Sequence, residues 1–104
     1  MRYNRGINNK RKDNMKDYYE LTILTDTNVD VSEEDIKSLA SGDIIKYEDE
    51  GIKRLAYRIR DNEQAHYYYI DIKSTETDVK NMNHKMANTE WCLRYLILKV
   101  EKRH

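Results

Sequence analysis

Four basic side chains fall within eight residues of this chain: Lys53, Arg54, Arg58 and Arg60. A guanidinium is a planar fork of N–H donors that keeps its charge at any ordinary pH, and it suits phosphate oxygens and carboxylates equally. These residues belong to the stretch Gly51-Ile52-Lys53-Arg54-Leu55-Ala56-Tyr57-Arg58-Ile59-Arg60, whose alternation predicts a β-strand. Leu55, Tyr57 and Ile59 fall on one face, and Arg54, Ala56, Arg58 and Arg60 on the other. Such a strand buries its first set and holds three guanidinium groups outward. Two uses fit: contact with a phosphate backbone or acidic partner, or an edge strand protected from aggregation by charge. The residues alone leave both open.

Other chemistry finds little support. His66, His84 and His104 are scattered, and with Cys92 as the single cysteine they give no metal-ligand spacing. One cysteine excludes an internal disulfide, and Cys92 in an apolar run reads as a small core residue. No acidic residue stands beside a glycine-rich loop or a histidine in a catalytic arrangement. No enzyme, cofactor, metal or small-molecule substrate is therefore expected.

The chain is 104 residues long, the size of one modest domain, with 37% charged residues, no proline and nine tyrosines. A formal net charge of zero hides an asymmetry. Residues 1–16 carry Arg2, Arg5, Lys10, Arg11, Lys12 and Lys16 against Asp13 alone, a net +5, which leaves −5 on the remainder. A basic tail suits contact with phosphate, and equally a solvated terminus. We expect residues 1–16 to be a flexible tail, 17–101 the folded domain, and 102–104 a short C-terminal tail. No apolar run approaches membrane-spanning length and no secretory signal is visible.

The elements that position these residues follow from periodicity and capping. Tyr18 to Thr25 alternates as a first strand, with Tyr19, Leu21 and Ile23 on one face. Ser32 caps a short helix with the stripe Ile36, Leu39 and Ala40, which Gly42 is expected to end. Asp43 to Ile59 is a long second strand, interrupted at Glu48-Asp49-Glu50-Gly51. Residues 60–64 turn the chain into a third strand, Ala65 to Lys73, with Tyr68, Ile70 and Ile72 opposite Tyr67, Tyr69 and Asp71. Thr75 caps a second helix with Val79, Met82 and Met86 inward, and Trp91 to Val100 is the last strand. That strand is apolar on both sides, with Leu93, Tyr95 and Ile97 against Cys92, Leu96 and Leu98. The sheet's open face must therefore be partly covered. Strand–helix–strand–strand–helix–strand predicts a ferredoxin-like split βαβ fold of the α+β class (βαββαβ). It would be a four-stranded antiparallel sheet with both helices on one face and the second and last strands at its edges. Tyr18, Tyr67 and Tyr69 would lie on the open face, and Glu20 could pair with Arg94 across neighbouring strands.

The segment Glu48-Asp49-Glu50-Gly51-Ile52-Lys53-Arg54-Leu55-Ala56-Tyr57-Arg58-Ile59 resembles the signature of the bacterial-type small-subunit ribosomal protein six family: an acidic pair, a glycine, basic residues, then Leu-Ala-Tyr-Pro-Ile. Tyr19-Glu20, Ala65-His66-Tyr67-Tyr68 and Leu93-Arg94-Tyr95-Leu96-Ile97-Leu98-Lys99 fall where that family places its other strands. The likeness covers roughly residues 17 to 100. Arg58 departs from it, standing where the family has proline.

The resemblance implies the same fold and a structural role in the small ribosomal subunit, in a bacterium or an organelle. The chain would bind the central domain of small-subunit rRNA with ribosomal protein eighteen in the platform. Arg2, Arg5, Lys53, Arg54, Arg58, Arg60 and Arg94 would contact RNA or partner, and Tyr18, Tyr67 and Tyr69 would face the partner. Two other families share the topology. The RNA-recognition motif would stack bases on the tyrosines and act as a free single-stranded RNA regulator. It needs a basic residue and glycine leading into its third-strand aromatics, where this chain has Gln64-Ala65-His66-Tyr67. An acylphosphatase needs an arginine-bearing phosphate loop after the first strand, where this chain has Thr25-Asp26-Thr27-Asn28.

Overall fold

The computed structural model describes residues 15–101. The tail expected over 1–16, apart from Met15 and Lys16, and the tail at 102–104 lie outside the described residues, as do Arg2 and Arg5. The elements run β1 (Asp17–Thr25), α1 (Glu33–Leu39), β2 (Asp43–Ile59), β3 (Asn62–Ser74), α2 (Glu76–Ala87) and β4 (Cys92–Val100). The sheet is ordered β2-β3-β1-β4 with every neighbouring pair antiparallel, so β2 and β4 are its edges, as expected.

Alternation puts Tyr19, Leu21 and Ile23 of β1 beside Tyr68, Ile70 and Ile72 of β3 on one face. Ile36 and Leu39 of α1 and Met82 and Met86 of α2 close over them in one cluster. Both helices begin as their sequences predict. Ser32 Oγ accepts from the Asp35 amide at 3.1 Å while the Asp35 carboxylate accepts from the Ser32 amide, a full capping box. Thr75 Oγ1 accepts from the Asp78 amide at 3.1 Å.

Three local expectations are corrected. First, α1 does not need Gly42 to stop it. The helix ends at Leu39, with Ala40 already extended and its amide bonded to the Lys37 carbonyl at 3.1 Å. Gly42 instead serves the close approach of the chain to the end of β3. Second, the turn between β2 and β3 is two residues, not five. Arg60 (φ +49°) and Asp61 (φ +66°) are both left-handed, the signature of a type I′ hairpin, so Glu63 and Gln64 already belong to β3. Asn62, nearly buried, secures the turn by donating to the Ile59 and Arg60 carbonyls, each at 3.2 Å.

Third, β4 does not keep strict alternation. Thr25 pairs with Cys92 but Leu24 with Arg94, so Leu93 is an extra residue. One inserted residue exchanges faces. Cys92 therefore joins Tyr95 and Ile97 on the helix side, while Leu93 crosses to the open face. Burial pushes the Cys92 thiol up to about 11, which makes it an inert core group at neutral pH.

Candidate RNA and partner interface

The open face is built by register. Tyr18, Glu20, Thr22 and Leu24 of β1 stand opposite Lys73, Asp71, Tyr69 and Tyr67 of β3, and opposite Val100, Leu98, Leu96 and Arg94 of β4. Tyr18, Tyr67, Tyr69 and Arg94 thus share the face away from the helices. Tyr67 and Tyr69 share the face two residues apart on β3, and Tyr18 stands on β1 opposite Lys73. The Lys73 ammonium sits 5.7 Å from the Tyr18 ring and the Lys53 ammonium 5.2 Å from the Tyr67 ring. Tyr69 alone of the three is strongly exposed, at 44%.

Part of this face is covered, and by the chain itself. Leu24, Ala65 and Leu93 form a second buried cluster, with Leu55, Ile59 and Tyr67 packed against it. The hairpin thus folds its inward side chains onto one end of the sheet. Beyond that cover Leu96 (51%) and Leu98 (47%) remain open together on β4, with Thr22 of β1 between Leu96 and the exposed Tyr69 of β3. An apolar strip of this kind on a small polar domain marks a surface that meets another molecule.

Glu20 and Arg94 do not pair. Glu20 stands opposite Leu98 while Arg94 stands opposite Leu24, four residues further along β1, or about 13 Å at strand rise. Directly across from Glu20 lies Asp71, another carboxylate.

Nor do the arginines of β2 form a simple row on one face. The β2–β3 ladder pairs Arg54 with Gln64 and then jumps to Ile59 with Asn62, so Leu55, Ala56, Tyr57 and Arg58 stand against Glu63 alone. Three surplus residues cannot keep strict alternation. Leu55 and Ile59 stay inward, but Tyr57, expected in the same buried set, is 82% exposed. Arg60 sits in the left-handed turn rather than in the strand, and its Nη1 donates to the Glu90 carbonyl at 2.9 Å. That bond ties the hairpin to the loop before β4. Arg58 pairs with Glu63 at 3.2 Å and Lys53 with Glu50 at 3.4 Å, both exposed. Arg54 is exposed and has no ion pair among the described residues. Lys53, opposite Ala65, is on the open face, and Arg54, opposite Gln64, on the other.

The interruption expected at Glu48–Gly51 is a bulge. The register shifts between Asp49 and Gly51, and Gly51 takes φ +81°. Asp49 accepts from the Gly51 amide at 2.9 Å and from His66 Nε2, and that histidine bond holds its carboxyl below the usual range. His66 is stacked on Tyr68 with centroids 4.4 Å apart, so it serves as a structural clamp across the bulge. Among the described residues no group of three or more His, Cys, Asp or Glu is placed to hold a metal ion, and no helix is long and apolar enough to cross a membrane.

The sequence model of the family described as Ribosomal protein S6 matches residues 18–99, from the start of β1 almost to the end of β4. The chain belongs to the Ribosomal protein S6 family. It is similar to the small ribosomal subunit protein bS6 of Rhodospirillum centenum, 41% identical over 61 residues, which covers 59% of this chain and 37% of that protein. It is also similar to the bS6 proteins of Bartonella bacilliformis (39% identical, 59% of this chain, 45% of that protein) and Rickettsia prowazekii (36%, 59% and 50%). The chain thus spans from 37% to 50% of the length of these relatives. The crystal structure of 30S ribosomal protein S6 from Thermotoga maritima superposes with a TM-score of 0.69 over 82% of this chain and 88% of that one, at 20% identity. That likeness carries the fold: the split βαβ sheet is the family's.

Proposed function

We propose that this chain is a structural constituent of the small ribosomal subunit that binds the central domain of small-subunit rRNA together with ribosomal protein eighteen, in a bacterial or organellar ribosome. The observation that carries the proposal is the match to Ribosomal protein S6 along the whole βαββαβ domain, residues 18–99. Two separate surfaces support a role between an RNA and a protein. The surface of Leu96 and Leu98 on β4, with Tyr69 across Thr22, is apolar and open, which suits a protein partner. The hairpin arm carries Lys53, Arg54 and Arg58 exposed on the edge strand β2, and Arg94 is exposed on β4, which suits phosphate.

The charge balance sets an expectation for affinity. With a formal net charge of zero, the lone chain neutralises few phosphates and releases few counterions. In a mobility-shift titration on a central-domain rRNA transcript, the chain alone is expected to bind weakly. Added ribosomal protein eighteen should tighten binding by at least tenfold. Tight binding by the chain alone with a steep salt slope, unchanged by the partner, would contradict the joint mode.

A further inference from the structure

We infer that Tyr57 is a stacking platform for an unpaired nucleobase, with Arg54 and Arg58 holding the flanking phosphates. The inference rests on the proposed rRNA-binding function and assigns a residue and a contact type within it.

The observation is a large aromatic ring left in water by a fold that buries its neighbours. Leu55, Tyr57 and Ile59 form one alternating set, and Leu55 and Ile59 pack against Leu24, Ala65 and Leu93. Tyr57, between them, is 82% exposed, and its side chain makes no hydrogen bond or ring contact among the described residues. The break of register between Arg54 and Ile59 produces this exposure, since three surplus residues bow away from β3. A ring placed there adds nothing to the core, while its π-face stays accessible on a projecting arm.

Its surroundings select the ligand. Arg58 is adjacent in the chain, and its pair with Glu63 leaves the arginine side chain 67% exposed. An ion pair that open is worth little, so it yields readily to a phosphate. Arg54 has no competing carboxylate among the described residues. The segment 53–60 that carries the ring holds Lys53, Arg54, Arg58 and Arg60 and no acidic residue, so the arm offers the ring in a basic stretch rather than within the apolar rim of a protein hot spot. An aromatic face flanked by guanidinium groups is the combination that holds single-stranded bases.

The test uses the full chain with ribosomal protein eighteen and a central-domain rRNA transcript, comparing wild type, Tyr57→Ala and Tyr57→Phe. Thermal unfolding of each variant should stay close to wild type, because Tyr57 is largely exposed and outside both buried clusters. Tyr57→Ala is expected to weaken RNA binding about tenfold and Tyr57→Phe to retain it, because stacking needs the ring and not the hydroxyl. Ultraviolet crosslinking should yield a nucleotide adduct on the Tyr57 peptide. If wild type binds and Tyr57→Ala binds equally well, the stacking inference fails while the proposed function stands. If Tyr57→Ala instead weakens binding to ribosomal protein eighteen without RNA, the ring is a protein contact and the inference is overturned. If wild type does not bind, both fall together.

Discussion

Replacing Gly42 by alanine should cost about 3 kcal/mol of stability, the largest loss expected from adding a single methyl group to this chain. Gly42 has φ +128°, a region essentially reserved for glycine. A Cβ there would lie 2.5 Å from the Lys73 carbonyl oxygen and 2.9 Å from Ser74 Cβ. Neither neighbour is free to give way. Lys73 and Ser74 are in the β3 ladder against β1, and Ser74 Oγ is bonded to the Ser41 carbonyl at 2.6 Å. The strained backbone and the clash therefore act together. Domains of this size have a total stability of about 5–15 kcal/mol, so the variant would be marginal. Gly51 is the internal control. It also has positive φ (+81°), but a Cβ there meets nothing within 4 Å, so Gly51→Ala should cost only about 1 kcal/mol. Urea unfolding of both variants checks the pair. Equal losses would mean that the close approach at Gly42 contributes nothing.

The largest functional effect is expected at the open apolar strip. The double substitution Leu96→Ser with Leu98→Ser should reduce association with small subunits by more than tenfold while leaving the domain folded. Leu96 and Leu98 are about half exposed, and the main core lies on the opposite side of β4 with Cys92, Tyr95 and Ile97. Removing half-buried methyl groups costs the fold modestly, about 1 kcal/mol per site. At the centre of a docked interface the same groups become fully desolvated, and truncating such anchors typically costs 2 kcal/mol or more in binding. Lys80→Ser, on the exposed side of α2, should change neither property. Association of the double variant at wild-type strength, measured by subunit pelleting with circular dichroism as the folding control, would remove this strip from the interface.

The element order was legible in the sequence because each element obeys one period and has a chemical boundary. Ser32 and Thr75 cap their helices as read, and the inward sets of β1 and β3 are those that alternation selects. The apolar excess of β4 also announced that something lies on the open face, and Leu55 and Ile59 are part of that cover. The bulge at Gly51 was legible from its glycine; what escaped is where a strand departs from period two with no glycine to mark it. The extra residue at Leu93 moves Cys92 to the core and Leu93 to the other side. Three surplus residues after Arg54 expose Tyr57 and break the row of arginines. Arg60 fits both the basic face of the strand and the start of the turn in the sequence; it adopts a left-handed turn that its residue type does not favour, held by the Glu90 carbonyl. Surplus residues leave no local signature, because the mismatch lies between two strands rather than within one. Tyr57 is therefore the residue of the candidate site that alternation hid.

Sedimentation of tagged full-length protein from a native lysate through a sucrose gradient, at moderate and high salt, tests the central claim most directly. A chain seated by its apolar strip as well as its charges should travel with the small subunit and resist the salt wash, since burial of apolar surface is not screened. Protein found at the top of the gradient as a free monomer under both conditions would contradict a role in the small subunit.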